Sequence, residues 1–179
     1  MILIASEELG IPKELIRYRL PSTSNIPDGG STVASRGTIM GGGAVVNAAK
    51  IIKQRLCEGV EKALGIKDCS YKDGNVYFAQ GEKVADYFEA VRLCYDHQIY
   101  PYAFGVFQAP PISWDEETGH GNAYFSWVYS CQAAELKVNS KTGKITLLNL
   151  VAAHDIGRAI NPALLAGQIY GGMAMGAGY

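Results

Sequence analysis

Residues 162 to 179 read as a helix in which Gly167, Gly171, Ala174 and Gly178 recur at intervals of four, three and four. One face of that helix carries almost no side chain. Several glycines in a helix cost on the order of 1 kcal/mol each against Ala, so a fold that keeps them must bring another backbone or a flat ligand close. Tight helix packing explains the glycines as well as a ligand does. Asn161 as N-cap and Pro162 at the first helical position mark the start. Gln168 is the one amide or charged side chain between Ala163 and Gly178. If buried, it must have its donors and acceptor satisfied. A heterocycle with amino and keto edges would do this, and so would a backbone partner.

A second segment, Ser31-Thr-Val-Ala-Ser-Arg-Gly-Thr-Ile-Met-Gly-Gly-Gly43, runs into a helix expected from Ala44. Ala44, Ala48, Ile51, Ile52 and Leu56 form its apolar stripe, and Gly65 is its stop after Leu64. Small and hydroxyl residues before a helix leave backbone N–H groups open where the dipole favours negative charge. Arg36 could add a charge-assisted contact to a phosphate. No Lys follows the glycines, so this is not a Walker loop, and it lacks G-x-G-x-x-G after a strand. Taken alone, such a segment is more often ordinary turn chemistry than an anion site.

The other elements follow from pattern. A short helix over residues 2 to 9 ends near Gly10, with Pro12 supporting the break. Leu15 to Leu20 alternates in part, as a strand would, and Pro21 to Gly30 is too rich in turn residues for a regular element. Tyr71 to Ala79 reads as a hairpin around Asp73-Gly74. Val84 to Tyr95 reads as an amphipathic helix, and Ile99 to Phe107 as a strand rich in Tyr and Phe. Phe125 to Val138 and Lys144 to Val151 form a long hairpin, with Ser140-Lys-Thr-Gly143 as its turn. Mixed helices and strands in this order predict an α+β fold. Residues 1 to 179 are expected to be one partial domain, since both ends look cut through helices.

Composition narrows the function. A formal net charge of −1 with interspersed charges gives no field to draw in nucleic acid or a membrane surface. No apolar stretch is long enough to span a bilayer. Cys57, Cys69, Cys94 and Cys131 include no Cys-x-x-Cys pair and no zinc spacing with His97, His120 or His154. Reduced thiols in a cytoplasmic protein are the simplest reading. His154 and Asp155 adjoin a strand end and read as structural, and Trp114 to Gly119 reads as an exposed acidic turn. No Ser–His–Asp or Cys–His arrangement stands out, so no catalytic residue is assigned.

Pro27-Asp-Gly-Gly-Ser-Thr-Val-Ala-Ser-Arg-Gly-Thr38 resembles the second pterin-binding segment of the xanthine dehydrogenase and aldehyde oxidase family. Asp155-Ile-Gly-Arg-Ala-Ile-Asn-Pro162, with Gly167-Gln168 and Gly171-Gly172, resembles that family's third. Their order and separation agree, so the resemblance spans nearly the whole chain. It implies a molybdenum–molybdopterin cofactor, often in the cytosine dinucleotide form, with no direct metal ligand from the protein. By position, Ala34, Ser35, Gly37 and Thr38 would contact the pterin or its phosphate, with Arg36 near the same anion. Gln168 would hydrogen-bond the cofactor beside the metal, and Asn161 and Gly167 would line the dinucleotide.

The implied reaction is hydroxylation of an electron-poor carbon in a purine or other N-heteroaromatic, with oxygen from water. Iron–sulfur clusters and FAD are expected on other domains or subunits, alongside the remaining parts of the molybdenum subunit. The family's catalytic Glu segment is absent from these 179 residues, so the isolated piece is expected to be inactive. An aldehyde oxidoreductase of the same family stands as the alternative, as does a non-catalytic nucleotide-binding or assembly fragment.

Overall fold

A computed structural model describes residues 1–24, 26–79 and 81–179. Asn25, inside the expected turn-rich segment, lies outside them. The architecture is α+β, and it divides into two compact units, Met1–Ala109 and Pro110–Tyr179.

The first unit is built on α2, Gly42–Leu64, preceded without a break by a π-helical turn, Gly37–Gly41. Gly65 ends α2 at φ +67, as expected. Its buried face is Gly42, Ala49, Leu56, Gly59 and Val60. That stripe is rotated from the expected one, and Ile51 is 38% exposed. Helix α1, Ile2–Leu9, lies against α2 and closes on Gly10 at φ +62. A Lys53–Glu8 ion pair ties the two helices together.

Strands β1, Ser70–Lys72, and β2, Asn75–Tyr77, form the expected hairpin. Asp73 at φ +46 and Gly74 at φ +75 are both left-handed, as a type I′ turn requires. The expected helix from Val84 begins later. Lys83–Asp86 pairs with β2 as β3, and α3 runs from Tyr87 to Asp96. The reason is the cap: the Asp86 carboxylate accepts the Glu89 N–H at 2.9 Å, which fixes the first helical residue at Tyr87. Leu56, Val60, Val76, Ala85, Ala90 and Cys94 form the core.

Two expected strands are not strands. Lys13–Leu15 is a 3-10 turn, and Ile16 to Leu20 pairs with nothing among the described residues. Leu20 is 90% exposed, so no apolar face there holds a ladder in place. Ile99 to Phe107 is in no sheet, although exposure alternates residue by residue from Ile99 to Ala109. The segment is seated on α2 by side chains. Arg55 donates to the carbonyls of Tyr100 and Tyr102, and Asn47 Nδ2 donates to that of Val106 at 2.8 Å.

The second unit is an antiparallel hairpin and one helix. β4, Tyr129–Val138, starts four residues later than expected, and β5, Ile145–Asp155, runs past Val151. Gly143 at φ +72 makes the turn, as expected. A bulge lies between Glu135 and Leu136. Helix α4, Pro162–Gly178, follows, and no residue of this unit is buried among the described residues.

Candidate functional site

In the first unit, the candidate segment is folded back on itself just ahead of the π turn. The Asp28 carboxylate accepts the Gly30 N–H at 2.8 Å, and Gly30 sits at φ +74. The Arg36 guanidinium donates from Nη2 to the Gly29 carbonyl at 3.0 Å. Ala34 holds φ +47, uncommon for a residue with a Cβ. The Arg36 N–H reaches the Val33 carbonyl and the Ile39 N–H that of Ser35, both at 3.0 Å. Among the described residues no backbone acceptor serves the N–H groups of Gly37 and Thr38. These are the orphan donors that every helix start leaves. Ser35 and Thr38 are exposed beside them. The structure thus brings Ala34, Ser35, Arg36, Gly37 and Thr38 together around one helix start.

The glycine run itself has another cause. It is not a loop before the helix; Gly42 and Gly43 are already α-helical. A Cβ on Gly41 would lie 2.8 Å from Met1 Cε, one on Gly42 2.9 Å from Ile4 Cδ1, and one on Gly43 would collide with the Phe107 ring. These glycines let α1 and the Ile99–Phe107 segment approach α2. The open donors sit earlier, at Gly37 and Thr38. Asp28 and Gly29, which shape the loop, were not singled out from sequence, although Pro27-Asp-Gly-Gly30 carries a turn signal.

In the second unit, the Asn161 side chain accepts the Leu164 N–H at 3.1 Å, so its oxygen is spent on capping α4. The Asp155 carboxylate accepts the Gly157 N–H at 3.1 Å, with Gly157 at φ +64. Gly172, Met173, Gly176 and Ala177 line a groove against Gln132, Ala134, Leu147 and Leu150 of the hairpin. At 100° per residue, Gly167, Gly171, Ala174 and Gly178 fall on the opposite face. A Cβ added at Gly167, Gly171 or Gly178 would meet nothing within 4 Å. Helix packing inside this unit therefore does not explain that stripe. Gln168 flanks it and is exposed, not buried, so nothing within the unit demands a partner for its amide.

Nucleophilic alternatives are weak on chemical grounds. Burial, then the neighbouring Cys69 and Glu61, pushes the Cys57 thiol up to about 11. Tyr71 donates its hydroxyl to the Leu9 carbonyl at 2.6 Å, and burial raises its pKa. Both are protonated, structural groups at neutral pH. His97 ends α3, and its carbonyl accepts from Lys62.

A small-residue helix start with open N–H groups and exposed hydroxyls suits an anionic ligand held without charge pairing. Comparison with known proteins identifies the family. A family model described as the molybdopterin cofactor-binding domain matches residues 1–179. The chain belongs to that family. It is 28% identical over 179 residues to aldehyde oxidase 4 of Mus musculus. It is 29% identical over 180 residues to a xanthine dehydrogenase of Emericella nidulans, and 28% over 178 residues to a xanthine dehydrogenase/oxidase of Gallus gallus. These alignments cover 99 to 100% of the chain but 12% of each relative. No helix among the described residues of this molybdopterin-binding chain is long and apolar enough to cross a membrane.

Proposed function

We propose that this chain is part of the domain that holds the molybdenum cofactor of a xanthine dehydrogenase-type hydroxylase acting on a purine or another N-heteroaromatic. The observation that carries the reading is the helix start at Gly37, where two unserved N–H groups stand beside two exposed hydroxyls. When bound, the cofactor supplies the redox centre at which an electron-poor carbon gains oxygen derived from water.

The residues present fit such a group. Gly37 and Thr38 donate backbone N–H groups to its anionic oxygens, and Ser35 and Thr38 add hydroxyl donors. Ala34, held at φ +47, turns the chain just ahead of these donors. Gln168 offers both an amide donor and an acceptor, suited to a pterin edge. Gly167 leaves room for a flat ligand to lie against α4, and Asn161 fixes where α4 begins. No acid–base residue for the reaction is assigned in this chain. Partners are the remaining parts of the molybdenum subunit, with iron–sulfur and FAD subunits carrying electrons away, in the cytoplasm.

The test uses the complete subunit with its partners. Metal analysis and fluorescence of the oxidised pterin should find both components, and Ser35→Ala with Thr38→Ala should lower both together. Xanthine turnover in oxygen-18 water should label the product. A complex without molybdenum or pterin ends the cofactor reading. Labelled turnover of aldehydes alone moves the substrate to the aldehyde class.

A further inference from the structure

In the segment from Tyr102 to Gln108 one edge is partly held and the other is open. In an extended chain, the N–H and C=O of a residue point to the same edge, and those of its neighbour to the other. The carbonyls of Tyr102 and Val106 are held by Arg55 and Asn47 of α2, so the even-numbered edge faces those side chains. Ala103, Gly105 and Phe107 address the opposite edge. Among the described residues their N–H and C=O groups have no partner. These three residues are half-buried, Gly105 against Ala44 and Ala48 and the Phe107 ring against Gly43, while Tyr102, Phe104 and Val106 stand exposed at 69, 59 and 62%. Gly105 lets this happen, because a Cβ there would lie 2.7 Å from the Ala48 nitrogen.

We infer that Ala103 to Phe107 is an edge strand that pairs with an extended strand contributed by the rest of the molybdenum subunit. An open row of alternating donors and acceptors is complementary to another strand's backbone and to little else. The partner's outward side chains would lie beside Phe104 and Val106, so its sequence alternates apolar residues. The source follows from length. Relatives that align with this whole chain devote 12% of their own length to it, leaving most of such a subunit to supply the strand. The inference rests on the preceding reading that this chain works inside a larger subunit, but it does not require the cofactor.

Residue-resolved hydrogen exchange on the complete subunit tests the edge. Amides of Ala103, Gly105 and Phe107 should exchange at least about 100-fold slower in the complete subunit than in the isolated chain, while those of Phe104 and Val106 change far less, a difference that the burial alternation already present in the isolated chain would not give. Benzoyl-phenylalanine at Phe104 should cross-link to a segment outside these 179 residues. A uniform change across 103 to 107, or none, overturns the strand, as does a cross-link to a second copy or to this chain's own residues. Because neither readout uses molybdenum, an empty subunit that still shows both would sink the cofactor reading and leave this one standing.

Discussion

Two glycines show opposite consequences of one added methyl. At Gly105 a Cβ would press on the Ala44 carbonyl and the Ala48 backbone and side chain. Gly105→Ala is expected to destabilise the first unit by about 1–3 kcal/mol, as overpacking does, with a lower urea midpoint. At Gly167 the same methyl meets nothing. Gly167→Ala should therefore raise helix stability by roughly 1 kcal/mol in the isolated chain, while lowering pterin content in the complete subunit. Unchanged pterin would remove Gly167 from the cofactor's surroundings. Cys57 gives a pH-dependent readout. With its thiol pushed up to about 11 by burial and by Cys69 and Glu61, thiolate is scarce at neutral pH and grows as pH rises toward that value. Alkylation of Cys57, followed by mass spectrometry, should climb steadily with pH well beyond the ordinary thiol range.

Two helix ends were legible from a single residue type. Asn161 before Pro162 located α4, and Gly65 located the end of α2. Asn161→Ala should cost about 1 kcal/mol and fray the first turn of α4, seen as loss of helical circular dichroism and faster exchange near Leu164. Where an element depends on distant contacts, the sequence pattern misled. Gly41 to Gly43 look like a loop because glycine disfavours helix, yet Met1, Ile4 and Phe107 need the space. Val84 and Ala85 fit a helical period, but Val76 claims Ala85 as a ladder partner and Asp86 caps the helix behind them. At the candidate site, the hydroxyls and glycines were visible from sequence. The π turn and the Arg36 clasp on Gly29 were not, since both arise from backbone geometry.

At the scale of the whole chain, stability is unevenly distributed. The first unit has a core around Leu56 and Val60 with both side chains fully buried. The second unit has none, and Leu147, Val151, Leu164 and Met175 are exposed. Apolar burial is the main favourable term in folding. In the isolated chain, amides of β4 and β5 should therefore exchange much faster than those of α2, by on the order of 100-fold or more. Equal protection in both units would mean that the hairpin finds cover without any partner.

The π turn also sets a rule for insertions and deletions. Gly37–Gly41 winds one residue more widely than an α-helix would. Removing any single residue there could let the helix heal into regular winding, with α2 and its core intact. Because an i→i+5 turn takes up its extra residue without rotating its flanks, the chain upstream, Ser35 included, would keep its place around the helix axis. Homologous chains whose helix is regular here should therefore be one residue shorter across these five positions, with the chain on either side in the same register.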